Sequence, residues 1–281
     1  MATPGRRCAP EMGGLKWYQS RKEGRMLQVA PTLQVSLAQT SADIRAAQRL
    51  RYDVFVEELG GIGPHVDHTA RLETDPFDAF ADHLLLRDAR QRESATDGVI
   101  GVYRIMTRDQ AKKAGQFYSE DEFDLSPLLQ SPRALLEIGR SCLHPEARGG
   151  AGMMALWQGL SDYARDHAID TVFGVASFHG TDPAPVQNAL SHLHHMHLAP
   201  PEIRPVSKTP DAFTPIQSED VDRKNAMRST PALIKSYLKL GGAIGQGVFI
   251  DHAFNTIDVC MVLNTRDVPD NAFARSKRSP E

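Results

Sequence analysis

The chain has 281 residues and a formal charge of −3, from 32 Lys and Arg against 35 Asp and Glu. With 41% hydrophobic and 24% charged residues its composition is that of a globular protein, long for one average domain and short for two, so one elaborated α/β domain is expected. The charge balance gives no footing for nucleic-acid binding, no apolar run approaches the roughly 18 residues of a membrane span, and three cysteines without paired spacing (Cys8, Cys142, Cys260) fit a reducing cytoplasm better than a disulfide framework.

Residues 1–25 are basic with no apolar segment behind them, and read as a disordered extension rather than a secretory leader. Residues 26–265 are expected to form one domain and 266–281 a polar tail. Leu33, Val35 and Leu37 alternate with polar residues as in a strand. Thr40-Ser41-Ala42-Asp43 is a capping-box signature for a helix that should run to Leu59 and stop at Gly60-Gly61. A polar loop follows to Asp78. His83–Leu86 and Val99–Met106, separated by a turn-rich stretch, predict a hairpin. Ala134–Leu143 predicts a central strand, Met153–Ala168 an amphipathic helix, Thr171–Ala176 a strand and Pro183–Leu193 a helix. A proline-rich excursion over 198–218 precedes a helix at 231–240 and strands at 247–250 and 257–263.

The informative residues are charges in apolar segments. Arg51 falls on the helical stripe of Ile44, Ala47, Val54 and Phe55, where it either snorkels past the core edge or enters a polar pocket. Two-residue alternation puts Arg104 on one face with Ile100, Val102 and Met106. The same rule puts Arg140 with Leu136, Ile138 and Cys142, and Glu137 on the opposite face with Leu135, Gly139 and Ser141. With Asp75 and Asp78 these residues form either a structural ion-pair network or a functional cleft. His144-Pro145-Glu146-Ala147-Arg148-Gly149-Gly150-Ala151-Gly152 joins a strand to a helix, and its free N–H groups and positive dipole end suit a phosphate, unless it is a plain tight turn. The cluster His192, His194, His195, His197 lacks a spaced carboxylate or cysteine partner, so no metal site is expected, and Cys142 reads as a buried thiol.

These residues carry a resemblance. Leu50–Gly60, with Arg51-Tyr52-Asp53-Val54-Phe55, resembles the R-Y-x-V-F helix of acyl-homoserine-lactone synthases and related GNAT acyltransferases. Asp75, Asp78 and His83-Leu84-Leu85 resemble the D-x-x-D…H-L-L segment, Gly101–Arg104 the G-x-x-R strand, and Glu137–Arg140 the E-x-x-R strand. His144–Gly150, Leu156–Leu160, Pro231–Leu238 and Asp251–Asp258 are similar to the hemolysin-like branch, which includes the acyltransferases of ornithine-lipid synthesis. The resemblance runs from Ser41 to Val262 and implies a GNAT-like α/β fold, a mixed twisted sheet flanked by helices, with a C-terminal extension from about residue 199.

The resemblance further implies transfer of a 3-hydroxyacyl group to the α-amine of L-ornithine, giving a lyso-ornithine lipid at or near the inner membrane face. The usual pyrophosphate loop, Q/R-x-x-G-x-G/A, is broken here by Ala151 and Met153, so the implied donor is an acyl carrier protein bringing its own phosphopantetheine, with no separate cofactor. Glu137, then Asp78, is the expected proton acceptor, with Arg140 beside them in the catalytic set. Arg51, Asp75 and Arg104 are expected to bind the acceptor, and Arg148, Gly149, Gly150 and Gly152 the phosphopantetheine. Ornithine's second cation is expected to meet Asp75, Asp78 and Glu137. Met153, Met154, Trp157 and Phe173 line an acyl slot or simply pack the core. Arg204, Lys208, Arg223, Lys224, Arg228, Lys235 and Lys239 are candidates for docking the acidic carrier. A quorum-signal synthase of the same fold and a membrane-active protein are the competing readings; the sequence has no strongly amphipathic basic helix to support the latter.

Overall fold

The computed structural model describes residues 32–148 and 150–268; the basic extension over 1–25, Gly149 and the tail beyond 268 lie outside the described residues. In chain order the elements are β1 (Leu33–Leu37), α1 (Ser41–Arg51), a π-helical segment (Tyr52–Glu58), β2 (Val66–Asp67), β3 (Leu72–Glu73), β4 (Asp82–Asp88), β5 (Val99–Thr107), α2 (Arg108–Ala114), β6 (Phe123–Asp124) and α3 (Ser126–Gln130). Then come β7 (Leu135–Leu143), α4 (Ala151–Asp166), β8 (Thr171–His179), α5 (Gln187–His197), β9 (Val206–Ser207), α6 (Arg223–Ser229), α7 (Ala232–Lys239), β10 (Ala243–Ile244), β11 (Phe249–Asp251) and β12 (Thr256–Asn264).

The described residues build an eight-stranded sheet in the order β1-β4-β5-β7-β8-β12-β10, with β11 also on β12. Its pairs are antiparallel except β7–β8, whose parallel crossover is α4. The region from 199 onward, expected as an extension, supplies β10, β11 and β12 to this sheet, and β9 pairs with β6 in a separate ribbon. One face packs under α4, α5 and α7, through Trp157, Leu160, Leu193, Ile234 and Tyr237. The other is covered by α1, through Ala47 and Leu50, and by the π-helical segment, through Val54. Beyond α1 on that face lies a second apolar cluster of Met106, Phe117, Phe123 and Phe173.

Thr40 caps α1 as its sequence predicts, with Asp43 completing the capping box. The helix does reach Leu59, but after Arg51 it widens into π geometry, seen in the Leu59 N–H bond to the Val54 carbonyl at 3.1 Å. Gly60, at φ +74°, ends it.

Two bulges correct the alternation expected for β5 and β7. The β5–β7 register steps from Val102↔Cys142 to Arg104↔Gly139, so β7 holds one extra residue, and Arg140 sits there at φ +47°. Arg140 and Cys142 therefore cross to the face that carries Glu137, while Leu136, Ile138 and Leu143 pack under α4. The β4–β5 register slips between Leu86 and Arg87, and Ile100 packs with Tyr103 and Ile105 rather than beside Arg104. A strict period of two cannot see either slip.

Candidate active site

Three guanidiniums and three carboxylates meet on the α1 face. Arg51, at the end of α1, is fully buried and does not snorkel. It clamps Asp78 with two bonds of 2.7 and 3.0 Å, pairs with the Glu73 carboxylate, and donates to the Glu73 carbonyl at 2.8 Å. Arg104 of β5 lies 2.6 Å from Asp75 and 3.6 Å from Asp78. Arg140 reaches Asp75 at 2.5 Å and Glu73 at 3.3 Å. Asp75 caps a short turn over Pro76–Ala79, and its own N–H donates in return to the Asp78 carboxylate at 3.2 Å, which fixes the two acids relative to one another. Aromatic rings flank the cations: Arg104 lies 5.4 Å from Phe77 and 5.3 Å from Tyr118, and Arg140 4.6 Å from Tyr118 and 5.0 Å from Phe254. The structure thus brings Arg51, Asp75, Asp78, Arg104 and Arg140 together, with Glu73 as a partner absent from the sequence reading.

Burial raises the pKa of Asp78, but the Arg51 charge and hydrogen bonds from Arg51 and Gln48 outweigh it and hold the carboxyl at about 2. Asp75 is lowered in the same way, burial losing to Arg104 and Arg140. Both acids are therefore held ionised at neutral pH.

Glu137 stands apart from this cluster. Its carboxylate accepts the N–H groups of Tyr118 at 3.0 Å and Ser119 at 2.7 Å. Burial raises its pKa against those bonds. Two of a carboxylate's roughly four acceptor positions are thereby used, leaving capacity for a proton.

The β7–β8 ladder ends at Glu137↔Phe173, although both strands continue to Leu143 and His179. The strands part where the Ile138 carbonyl would lie 2.0 Å from any Cβ on Gly174, so glycine is required at the fork. A cavity of about 350 Å³ opens there on the α4 side, lined by Ile138, Gly139, Trp157, Gly174, Tyr237 and Met261 among others. Trp157 and Phe173 of the expected acyl slot line it, whereas Met153 packs against the core. The gap between the strands therefore has an apolar chamber on one face and the charge cluster on the other.

Residues 50–158 match the model of the acetyltransferase (GNAT) domain. The L-ornithine N(alpha)-acyltransferase of Rhodobacter capsulatus is 50% identical over 233 residues, covering 83% of this chain and 90% of that protein. This chain belongs to the L-ornithine N(alpha)-acyltransferase family. The enzyme of that name from Brucella abortus is 42% identical over 236 residues, with 83% and 84% covered. A CoA-dependent acyl-homoserine lactone synthase, BjaI, solved with MTA, shares 12% identity and a TM-score of 0.49, with 86% of each chain covered.

In this acyltransferase the expected phosphate turn has mixed geometry. Gly150 caps α4 at φ +80°. Arg148, however, forms a two-pronged pair with Glu58, both contacts at 2.5 Å, and donates to the Leu143 carbonyl. A Cβ on Gly152 would lie 2.9 Å from the Ala147 carbonyl, so that glycine serves close packing of α4. Gly149 lies outside the described residues.

Residues 107–133 carried no expectation, yet their turn holds Tyr118 and Ser119 against Glu137. An available signal was the apolar set Phe117, Phe123, Leu125 and Leu128, all buried, spaced around otherwise polar residues.

Proposed function

We propose that this acyltransferase moves a 3-hydroxyacyl group from the phosphopantetheine thioester of an acyl carrier protein to the α-amine of L-ornithine, giving a lyso-ornithine lipid. The observation that carries the reading is the parted β7–β8 edge, with an apolar chamber on one face and a buried charge cluster on the other. The acyl chain occupies the chamber, and the thioester carbonyl lies in the gap. The uncharged α-amine attacks that carbonyl, the C–N bond forms, the C–S bond breaks, and the thiol leaves with a proton. Backbone N–H groups along the unladdered β7 edge stabilise the oxyanion.

Glu137 is the proposed acceptor of the amine proton, because its raised pKa suits a base better than the anchored Asp78. Arg51, Arg104 and Arg140 hold the acids and the acceptor carboxylate in place. Exposed Arg223, Lys224 and Arg228 on α6, with Lys235 and Lys239 on α7, form the proposed carrier-protein surface beside the chamber wall made by Leu233 and Tyr237. Arg204 is half-buried and donates to the Ala199 carbonyl, while exposed Lys208 donates to the Glu120 carbonyl beside the β6–β9 ribbon and remains a candidate for the same role. Among the described residues no helix is long and apolar enough to cross a membrane. The enzyme is proposed to work in the cytoplasm, peripheral to the inner membrane that receives the product.

Purified protein with 3-hydroxyacyl carrier thioester and a panel of amino acids is expected to yield Nα-acylornithine by mass spectrometry. An acyl-homoserine lactone formed from S-adenosylmethionine instead would transfer the chain to the competing reading. Glu137→Gln is expected to lower turnover by about 10²-fold or more and to remove the acid limb of the kcat/KM pH profile. An intact limb beneath a lowered plateau would reassign Glu137 to positioning the 118–119 turn.

A further inference from the structure

A second acidic group lies outside the arginine cluster. Glu122, Asp251 and Asp258 each offer one carboxylate oxygen, and those oxygens lie within 4.8 Å of one another. Glu122 is 3% and Asp258 2% exposed. Among the described residues none of the three forms a salt bridge, in contrast to Glu73, Asp75 and Asp78. Glu122 Oε2 and Asp258 Oδ1 are buried without a hydrogen-bond partner among the described residues. Leaving such acceptors unmet costs about 1–3 kcal/mol each, and more when charged, so the pair is built for a donor that arrives.

We infer that Glu122, Asp251 and Asp258 form a subsite for a primary alkylammonium, the side-chain cation of the acceptor amino acid. The inference rests on the ornithine reading for the identity of the acceptor, not for the site itself. An ammonium carries three N–H donors, one for each carboxylate, whereas a hard divalent cation seeks six or more oxygens. Place supports this occupant. The Tyr118 ring lies 4.6 Å from the Arg140 guanidinium, and Glu122 ends the short turn that Tyr118 begins, so the subsite adjoins the arginine cluster. Asp258 pairs across the ladder with Ser177, which is exposed on the β8 edge beyond the fork. Asp251 is half-buried and has its Oδ1 fixed by the N–H groups of Ala253 and Phe254 at 2.7 and 3.0 Å.

This subsite places the cation at a group other than the expected Asp75, Asp78 and Glu137, since Asp75 and Asp78 already face guanidinium groups and Glu137 is the proposed base. Burial and the neighbouring carboxylates push Glu122 up to about 9, and burial with Asp251 pushes Asp258 up to about 7. A bound ammonium supplies the missing counter-charge. Holding the distal nitrogen also leaves the α-amine as the one free to attack.

The test compares kcat/KM for L-ornithine and L-norvaline, which lacks the terminal amine, in the wild type, Glu122→Gln and Asp258→Asn. The ornithine-to-norvaline ratio is expected to fall about 30-fold or more in each variant. An unchanged ratio, with both activities reduced alike, would overturn the subsite and leave a structural role. If the wild type does not acylate ornithine, the function reading fails, and calorimetric titration with n-butylammonium chloride decides the subsite alone. Binding by the wild type and not by Glu122→Gln upholds it; no binding, or binding of magnesium chloride in its place, overturns it. Folding of the variant is checked by Tm. A carboxyl whose folded pKa is raised weakens the fold as pH climbs from the ordinary carboxylate range toward about 9, so Glu122→Gln should melt above the wild type at pH 8 and level with it near pH 4.

Discussion

Arg51→Met should cost the fold about 3–5 kcal/mol at pH 7, because it takes the nearest counter-charge from two buried carboxylates. Of the guanidiniums, Asp78 keeps the longer 3.6 Å approach of Arg104, beside its bond from Gln48 at 2.9 Å, and Glu73 keeps Arg140 at 3.3 Å. For a chain of this size the corresponding fall in Tm is roughly 10 °C. The loss should depend on pH. Asp78 has its folded pKa depressed to about 2, so the stability it contributes is present above the ordinary carboxylate range and is lost as pH falls toward 2. Denaturation curves at pH 7 and pH 3 should therefore show a wide gap between wild type and variant that narrows in acid. A gap under about 1 kcal/mol at pH 7 would mean that neighbouring groups or water can replace the guanidinium, and that the cluster is not the rigid support proposed for the acceptor.

The same residue shows how far the sequence could be read. A guanidinium on an apolar helical stripe marked Arg51 as unusual without revealing its partners, because contact across α1, β3 and the Pro76–Ala79 turn is tertiary information. Local chemistry was fully legible: the Thr40 capping box, β1 and the β4–β5 hairpin follow from short-range pattern. The faces of β5 and β7 were not, since a bulge of one residue inverts every later side chain. Arg140 and Glu137 share a face only because β7 is irregular. The stretch from 107 to 133 escaped because its helices have five and seven residues, too short to display a helical period. Tyr118 and Glu122 were hidden there, and with them the link between the two polar clusters. The phosphate turn was conspicuous as a motif, yet the bond from Arg148 to Glu58, ninety positions away, could not be foreseen.

Ala164→Phe tests where the acyl chain lies. Ala164 is on α4 and borders the chamber of about 350 Å³, so a phenyl ring has open space to enter and need not force its neighbours off their rotamers. Each methylene denied burial is worth about 0.8 kcal/mol, so excluding the last four from the chamber removes about 3 kcal/mol of binding. The expected result is a fall of roughly 10²-fold in kcat/KM for a long-chain 3-hydroxyacyl donor, with far less change for a donor short enough to end before the ring. The comparison of two chain lengths is what gives the test its force. A ring that merely disturbed α4 would slow both donors equally, since the gap between β7 and β8 and the charge cluster serve every chain length alike. Undiminished use of the long donor would show that the chain runs outside this chamber, and the assignment of the two faces of the fork would have to be reversed or abandoned.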